Sequence, residues 1–172
     1  MPESCVELIG SWASPFVLRA QIVLSMKNVG KKKFGPKSEL LLKSKLVHKK
    51  VLVLIHANKP IPESLVILEY IDEVWASSGP SILSFDPYDR AMNRFWAAYI
   101  DEKMTSIIPC LAISPVKDGA EVALEQVKTG IILLEETFRE RNKGNALFGG
   151  DKIGFIDIAS GCLVSLIKVT QM

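Results

Sequence analysis

The first part of the chain alternates short apolar runs with turn-forming residues. The apolar run at 5–10 predicts a strand, and helical periodicity follows from Pro15 to about Lys27. Serine is favoured at the N-cap of a helix and proline at its first position, so Ser14 and Pro15 suit a helix start. A strand is therefore expected to lead, through a short turn, into a helix that begins at Ser14.

The next segment has a weaker pattern and is followed by a hairpin. Residues 29–36 contain three lysines and two glycines and predict no strand, whereas residues 38–43 predict a short helix. The β-rich run 51–56 predicts a strand, and residues 57–60 predict a turn into a partner strand that begins at Ile61.

The pattern changes from mixed to purely helical near the middle of the chain. Residues 65–75 predict a buried helix, and the small, polar and helix-breaking residues of 77–87 are typical of a linker. Three later stretches share helical periodicity, with no strand candidate between them: 87–113, 119–141 and 155–168. The predicted fold class is α/β plus all-α, with one domain at 1–76, a linker at 77–87 and a helical domain at 88–172.

Composition and charge exclude several kinds of protein. Hydrophobic residues make up 48% and charged residues 23%, which excludes a disordered chain. The net charge of +2 is too small for a nucleic-acid-binding surface. The apolar run after Asp157 ends at Lys168, short of the roughly 20 residues that span a bilayer, and residues 1–4 lack a signal-peptide pattern. No nucleic-acid partner and no membrane association are expected.

Cysteine and histidine usage indicates a reducing compartment and no metal site. The chain has three widely spaced cysteines with neither a Cys-x-x-Cys pair nor a zinc pattern, which favours the cytoplasm. His48 and His56 have no Cys, Asp or Glu at ligand spacing. Neither a metal nor a permanently bound cofactor is expected.

Six ordered blocks resemble the tau class of plant glutathione S-transferases. They are SPFVLR (14–19), KSELLLKS (37–44), VHKKVLVLIH (47–56), EYIDEVW (69–75), DPYDRAMNRFWAAYIDEK (86–103) and FGGDKIGFIDIA (148–159). The resemblance implies a thioredoxin-like glutathione-binding domain followed by a helical domain. It also implies a homodimer that conjugates glutathione, as co-substrate, to hydrophobic electrophiles in detoxification and stress response.

Ser14 matches the catalytic serine of that family. A free cysteine thiol has a pKa of about 8.5 and is a poor nucleophile near neutral pH, so the thiolate of glutathione must be stabilised. A hydroxyl donor at a helix start can supply that stabilisation. From the local pattern alone, the simpler role of Ser14 is to cap its helix.

The resemblance also implies a set of glutathione contacts. They are Lys37 at the glycyl carboxylate, the backbone of Val51 at the cysteinyl part, and Glu63 and Ser64 at the γ-glutamyl ammonium and carboxylate groups. Arg19 lies one turn along from Ser14 and is a candidate for electrostatic support. The local pattern of Glu63 and Ser64 fits a capped helix with an acidic first turn equally well.

Asp157 is assigned a structural role instead of a catalytic one. The segment 154–157, Gly-Phe-Ile-Asp, resembles the capping motif of the family's core helix. We expect the Asp157 carboxylate to accept hydrogen bonds from backbone amides near the start of that helix.

Leu52 departs from the family pattern, which has a cis-proline at this position. A cis bond before a residue other than proline costs about 2.5–4 kcal/mol, so the bond from Val51 to Leu52 is expected to be trans. This departure leaves a second function open, a non-catalytic ligand-binding protein or an inactive relative. A thiol-disulfide oxidoreductase is disfavoured because Ser14 stands where that chemistry needs cysteine.

Two stretches are shorter than the family pattern. Residues 29–34 leave little room for a second strand and its following loop, which predicts an internal deletion. The helix that begins near Phe155 is the last one predicted, so the family's final helices are expected to be missing. Apolar surface would then be exposed around Leu163, Leu166 and Ile167.

Overall fold

The structure is a computed structural model that describes residues 6–11, 14–30, 32–35, 52–105, 120–142 and 144–170. Its contacts divide the chain into two compact units, Met1–Ser81 and Ile82–Met172. The division falls inside the predicted linker at 77–87. The glutathione-binding role of the first domain stays a prediction.

The first unit is built on a mixed four-stranded sheet with the order β2-β1-β3-β4. Its strands are β1 (Val6–Ile9), β2 (Lys32–Gly35), β3 (Val53–His56) and β4 (Lys59–Pro62). Strand β1 pairs parallel with β2 and antiparallel with β3, and β3 pairs antiparallel with β4. The two central strands carry the apolar residues because both of their edges are paired and their side chains are buried.

Strand β2 shows that the prediction of no strand at 29–36 is wrong. Its sequence, Lys-Lys-Phe-Gly, lacks the apolar run of a buried strand, but β2 lies at an edge of the sheet. Lysines are common on edge strands, where they oppose pairing with other chains. Backbone pairing with β1 therefore forms a strand that side-chain pattern does not reveal. The loop after β2 and the helix predicted at 38–43 lie outside the described residues.

The hairpin of β3 and β4 is present, with a tighter turn than predicted. The turn consists of Ala57 and Asn58, with φ angles of 50° and 61°. Two-residue hairpins of type I′ require positive φ at both of these positions. Strand β4 consequently begins at Lys59, two residues before the predicted start, and its two prolines suit an edge strand because proline donates no backbone hydrogen bond.

Helices α1 (Pro15–Met26) and α2 (Ser64–Val74) pack against each other, and α2 also contacts β3 and β4. Helix α1 ends in a Schellman motif. The Val29 amide donates to the Leu24 carbonyl at 3.0 Å, and the Asn28 amide donates to the Ser25 carbonyl at 3.1 Å. Asn28 has a φ of 51°, in the left-handed region that asparagine tolerates.

Helices are the regular elements of the second unit within its described residues, as predicted. Its helices are α3 (Pro87–Thr105), α4 (Ala120–Arg141) and α5 (Phe155–Thr170). Helix α3 packs against both others, and Ile100 and Ile156 form a core on which Trp96, Leu134 and Phe148 pack. Exposed apolar surface was predicted at residues 163–167, but the structure does not describe the side chains of these residues. Among the described helices, none has the length and apolar character needed to cross a membrane.

Candidate active site

Ser14 is the N-cap residue of α1, with extended backbone angles of φ −77° and ψ 125°. Its amide donates to the Ser11 carbonyl at 3.0 Å, and its carbonyl accepts the first helical hydrogen bond from the Leu18 amide at 3.1 Å. Pro15 follows at the first helical position, and the Ser14 side chain makes no capping hydrogen bond in this described segment. The hydroxyl therefore lies at a helix start without serving as its cap.

Arg19 joins the start of α2 to α1. Its side chain is fully buried, and its Nη1 atom donates to the Ser64 Oγ atom at 3.3 Å. The guanidinium carbon also lies 5.1 Å from the centroid of the Phe16 ring, within the range of a cation–π contact. Since Ser64 is the first residue of α2, this hydrogen bond ties the helix that begins beside Ser14 to the helix that begins beside Glu63.

Glu63 has a strained backbone. It is the N-cap residue of α2, with φ 67° and ψ 124°, and its side chain makes no capping hydrogen bond to that helix. A residue other than glycine in such a region costs on the order of 1–3 kcal/mol, and such residues cluster at functional sites. The sequence contains no sign of this strain, because glutamate does not favour a positive φ.

The start of α2 has groups that are complementary to a carboxylate and to an ammonium group. Helix amides and the macrodipole create partial positive charge that suits a carboxylate, and the exposed Glu63 carboxylate is complementary to an ammonium group. Ser64, buried and held by Arg19, lies at the same helix start. These features match the needs of a γ-glutamyl group, which carries both charges.

Not all predicted contacts are described by the structure. Lys37 and Val51 lie outside the described residues, and so does one end of the Val51–Leu52 peptide bond that was predicted to be trans. Leu52 itself is buried and directly precedes β3.

Asp157 holds a loop to the start of α5. Its Oδ2 atom accepts hydrogen bonds from the amides of Gly154 at 2.9 Å and Gly149 at 3.2 Å, and its Oδ1 atom accepts one from the Phe148 amide at 2.9 Å. The bond to Gly154, which immediately precedes the helix, has the geometry of a capping box. The two other bonds come from the preceding loop, a long-range contribution that the local motif does not reveal.

Histidine and acidic residues form no metal site in the part of the chain that the structure describes. His56 instead contacts aromatic neighbours. Its Nδ1 atom lies 2.8 Å from the Tyr70 hydroxyl oxygen, and its ring centroid lies 4.9 Å from that of Trp75. The expected lack of a metal remains a prediction for the whole chain.

Comparison with known proteins explains this arrangement. Residues 6–73 match the family described as glutathione S-transferase, N-terminal domain. Glutathione S-transferase U17 of Arabidopsis thaliana is 50% identical over 176 residues, covering 100% of this chain and 78% of that protein. The chain therefore belongs to the glutathione S-transferase family.

Two solved structures define the class more closely. The tau-class glutathione S-transferase MiGSTU from mango, Mangifera indica, is 48% identical, with a TM-score of 0.85 over 97% of this chain and 77% of that one. Rice GST1 (OsGSTU1), solved in complex with glutathione, is 30% identical, with a TM-score of 0.84 over 99% and 78%. The predicted resemblance to the plant tau class is confirmed, as is the thioredoxin-like domain followed by a helical one.

Proposed function

We propose that this chain conjugates glutathione to hydrophobic electrophiles, with detoxification and stress response as its roles. The observation that supports the proposal most is the position of Ser14 at the start of α1, where its hydroxyl is not used as a cap by the described residues of that helix. Family membership and the glutathione complex of the rice relative support glutathione as the co-substrate. The proposal includes neither a metal nor a permanently bound cofactor.

In this reaction the glutathione thiol loses its proton to solvent, and the thiolate sulfur attacks an electrophilic carbon. A carbon–sulfur bond forms while the leaving group, such as chloride, departs with its bonding electrons. Lowering the thiol pKa by two units requires about 2.7 kcal/mol of preferential thiolate stabilisation. A hydrogen bond to a charged group contributes about 1.5–3 kcal/mol and a helix end about 0.3–1 kcal/mol, so Ser14 and α1 are together sufficient.

The rest of the proposed site binds and orients glutathione. Glu63 takes the γ-glutamyl ammonium group, and Ser64 with the start of α2 takes its carboxylate. Lys37 pairs with the glycyl carboxylate, and the Val51 backbone contacts the cysteinyl part. The buried Arg19 acts indirectly, since its hydrogen bond fixes the Ser64 side chain.

A calorimetric titration with glutathione tests this proposal. We expect Ser14→Ala to retain binding within about threefold, while the ultraviolet absorbance of the bound thiolate at neutral pH disappears and conjugation of a chloronitrobenzene falls about 10- to 100-fold, the equivalent of one charged hydrogen bond. Ser25→Ala is the matched control, because Ser25 lies on the exposed side of the same helix near its far end, where its hydroxyl donates to the Gln21 carbonyl at 2.8 Å. A Ser14→Ala variant that keeps full thiolate absorbance would contradict the role of this serine.

The competing proposal is a non-catalytic protein or an inactive relative. Leu52 favours it, because this buried residue stands at the family's cis-proline position, next to the backbone that is proposed to meet glutathione. The same titration with Leu52→Pro separates the two functions. Binding and conjugation by the natural chain support the transferase, whereas binding without conjugation supports a non-catalytic protein. Binding by Leu52→Pro alone identifies the natural chain as a disabled relative.

We also propose a homodimer and a cytoplasmic location. The family resemblance implies a dimer joined between the β/α domain of one subunit and the helical domain of the other. Large apolar side chains exposed on α2 and α3, including Val66, Val74 and Phe95, support an interface. The three cysteines, which lack disulfide or zinc spacing, support the cytoplasm.

A further inference from the structure

A buried polar cluster lies at the far end of α1 from Ser14. The Lys27 side chain is 0% exposed, and its Nζ atom lies 2.7 Å from the Oδ1 atom of Asp72, which is 7% exposed. The Ser81 hydroxyl donates to the other carboxylate oxygen of Asp72 at 3.0 Å. Sequence analysis did not detect this cluster, since its members are far apart along the chain.

The cluster adds a polar contact between α1 and α2 to the hydrogen bond from Arg19 to Ser64. Lys27 is the C-cap residue of α1 and follows Arg19 by about two helical turns, and Asp72 follows Ser64 by the same interval on α2. The contacts Arg19–Ser64 and Lys27–Asp72 therefore join two parallel helices at matching levels. Both helices begin at residues of the proposed glutathione site.

The segment after α2 closes this end of the unit. A Cβ atom on Gly79 would lie 2.4 Å from the Met26 carbonyl oxygen, so only glycine allows this approach to the end of α1. The segment then brings Ser81 to Asp72. The end of α1 is thus held by both α2 and the segment that follows α2.

Stability alone does not account for the buried ion pair. Replacing such a pair by apolar residues of similar volume is often neutral or stabilising, because the desolvation of both charges offsets their attraction. An ion pair does differ from apolar packing, because it needs two particular atoms to lie within a few ångströms of each other. Apolar side chains can slide past one another, whereas the contact of Nζ with Oδ1 is kept at only one register of α2 against α1.

We infer that Lys27, Asp72 and Ser81 form a positioning cluster that sets the register of α2 against α1. The cluster thereby places Glu63 and Ser64 relative to Ser14, and in this respect the inference rests on the proposed function. Its loss should weaken the binding of glutathione more than it slows the reaction of bound glutathione, because Ser14 and the start of α1 are not displaced.

The test removes both charges together in Lys27→Met/Asp72→Leu, so that no unpaired charge is left buried. The expected result is a folded protein whose KM for glutathione is raised at least tenfold, with kcat changed less than twofold. Arg139→Gln/Glu135→Gln is the matched control, since it neutralises an exposed ion pair on α4 and should leave KM unchanged.

A milder variant covers the case in which the double variant does not fold. Ser81→Ala changes an exposed residue and keeps both charges, and we expect it to raise KM about threefold with kcat unchanged. Ser77→Ala, also exposed, is its control. An unchanged KM in Ser81→Ala and in any folded double variant would overturn the inference.

Hydrogen exchange without glutathione separates this inference from the proposed function. The Ile67 amide donates to the Glu63 carbonyl at 2.9 Å in the first turn of α2, and the Ile67 side chain is fully buried, so exchange of this amide reports how firmly that turn is packed in the unit. We expect its exchange to be at least tenfold faster in the variants that disturb the cluster. If the natural chain binds no glutathione, the proposed function fails. The exchange rate of the Ile67 amide still tests whether the cluster holds the start of α2 in place. Unchanged exchange would then overturn the positioning role.

Discussion

At the scale of single residues, the strained backbone of Glu63 allows stability and function to be separated. Its φ of 67° and ψ of 124° lie in a region that costs about 1–3 kcal/mol for a residue other than glycine. Glu63→Gly relieves that strain but adds about 0.5–1 kcal/mol of chain entropy to be lost on folding. We therefore expect urea denaturation to show a variant about 1 kcal/mol more stable, with weaker glutathione binding in calorimetry.

Glu63→Gln provides the control for this prediction. It keeps the backbone strain and removes the negative charge, so it should weaken glutathione binding without any gain in stability. A Glu63→Gly variant that is less stable than the natural chain would show that the backbone at this position carries no strain.

Asp157 offers a second prediction at this scale. Asp157→Ala removes the acceptor of three backbone amides, each worth about 1 kcal/mol, so we expect a loss of about 3 kcal/mol in urea denaturation. Asp157→Asn keeps one acceptor oxygen and should lose less. Asp151→Ala, an exposed position in the same loop, should stay within about 0.5 kcal/mol of the natural chain. A small loss in Asp157→Ala would contradict the structural role.

Residue identity predicted some features of the site better than others. Ser14 and Asp157 were detectable because capping motifs place them at fixed offsets from helix starts. The strain at Glu63 could not be detected from the sequence, because the surrounding fold imposes the positive φ and the local sequence pattern does not reflect it. The tie from Arg19 to Ser64 was missed for a related reason, because it joins residues from two different helices.

At the scale of elements, the β3–β4 turn is the clearest case in which local sequence and backbone disagree. Both turn residues have positive φ, but Ala57 disfavours the left-handed region. Ala57→Asn/Asn58→Gly creates the Asn-Gly pair that suits this turn. We expect thermal and urea denaturation to show about 1 kcal/mol of added stability.

Glutathione binding should be unaffected by this turn variant. His56, which precedes the turn, pairs with Val6 at the start of β1, whereas Ser14 follows the other end of β1. The turn and the proposed site therefore lie at opposite ends of the sheet. A change in glutathione affinity would indicate a coupling along the sheet that the contacts do not suggest, and a loss of stability would contradict the turn assignment.

The strands differ in how well they could be predicted, and their places in the sheet explain why. Strand β3 is central and buried, so its apolar run marks it clearly. Strand β2 lies at the edge, where backbone pairing with β1 suffices and lysines are tolerated, so periodicity gives no signal. A strand could thus be predicted from the sequence where burial requires apolar side chains, as in β3. It could not be predicted where only backbone hydrogen bonds hold the strand, as in β2.

At the scale of the whole molecule, the division into an α/β unit and a helical unit was predictable from the change in periodicity near residues 77–87. The cluster at Lys27 could not be predicted, because it depends on how α1, α2 and the following segment meet in space. Assembly is likewise beyond the pattern of a single chain. Exposed apolar residues on helices are nevertheless a physical reason to expect association.

The proposed dimer predicts the mass of the protein in solution and predicts that a substitution on the exposed face of α2 lowers that mass. Val66 and Val74 lie about two turns apart on α2 and are 53% and 45% exposed, which makes an apolar stripe on the unit that the resemblance assigns to the interface. Sedimentation should therefore give twice the chain mass of 19.0 kDa. Val74→Lys should shift the protein to monomer, because a charge buried in an apolar interface costs several kcal/mol, whereas lysine at a helix C-terminus favours the helix itself.

Ile153→Lys is the matched control for Val74→Lys, since Ile153 is similarly exposed but belongs to the loop before α5 and is not part of the α2 stripe. The control should sediment like the natural chain at each protein concentration, because the fraction of dimer then depends on protein concentration in the same way for both. A natural chain that sediments as a monomer would contradict the dimer. A Val74→Lys variant that stays dimeric would instead place the interface elsewhere, since an uncompensated charge could not remain buried in it.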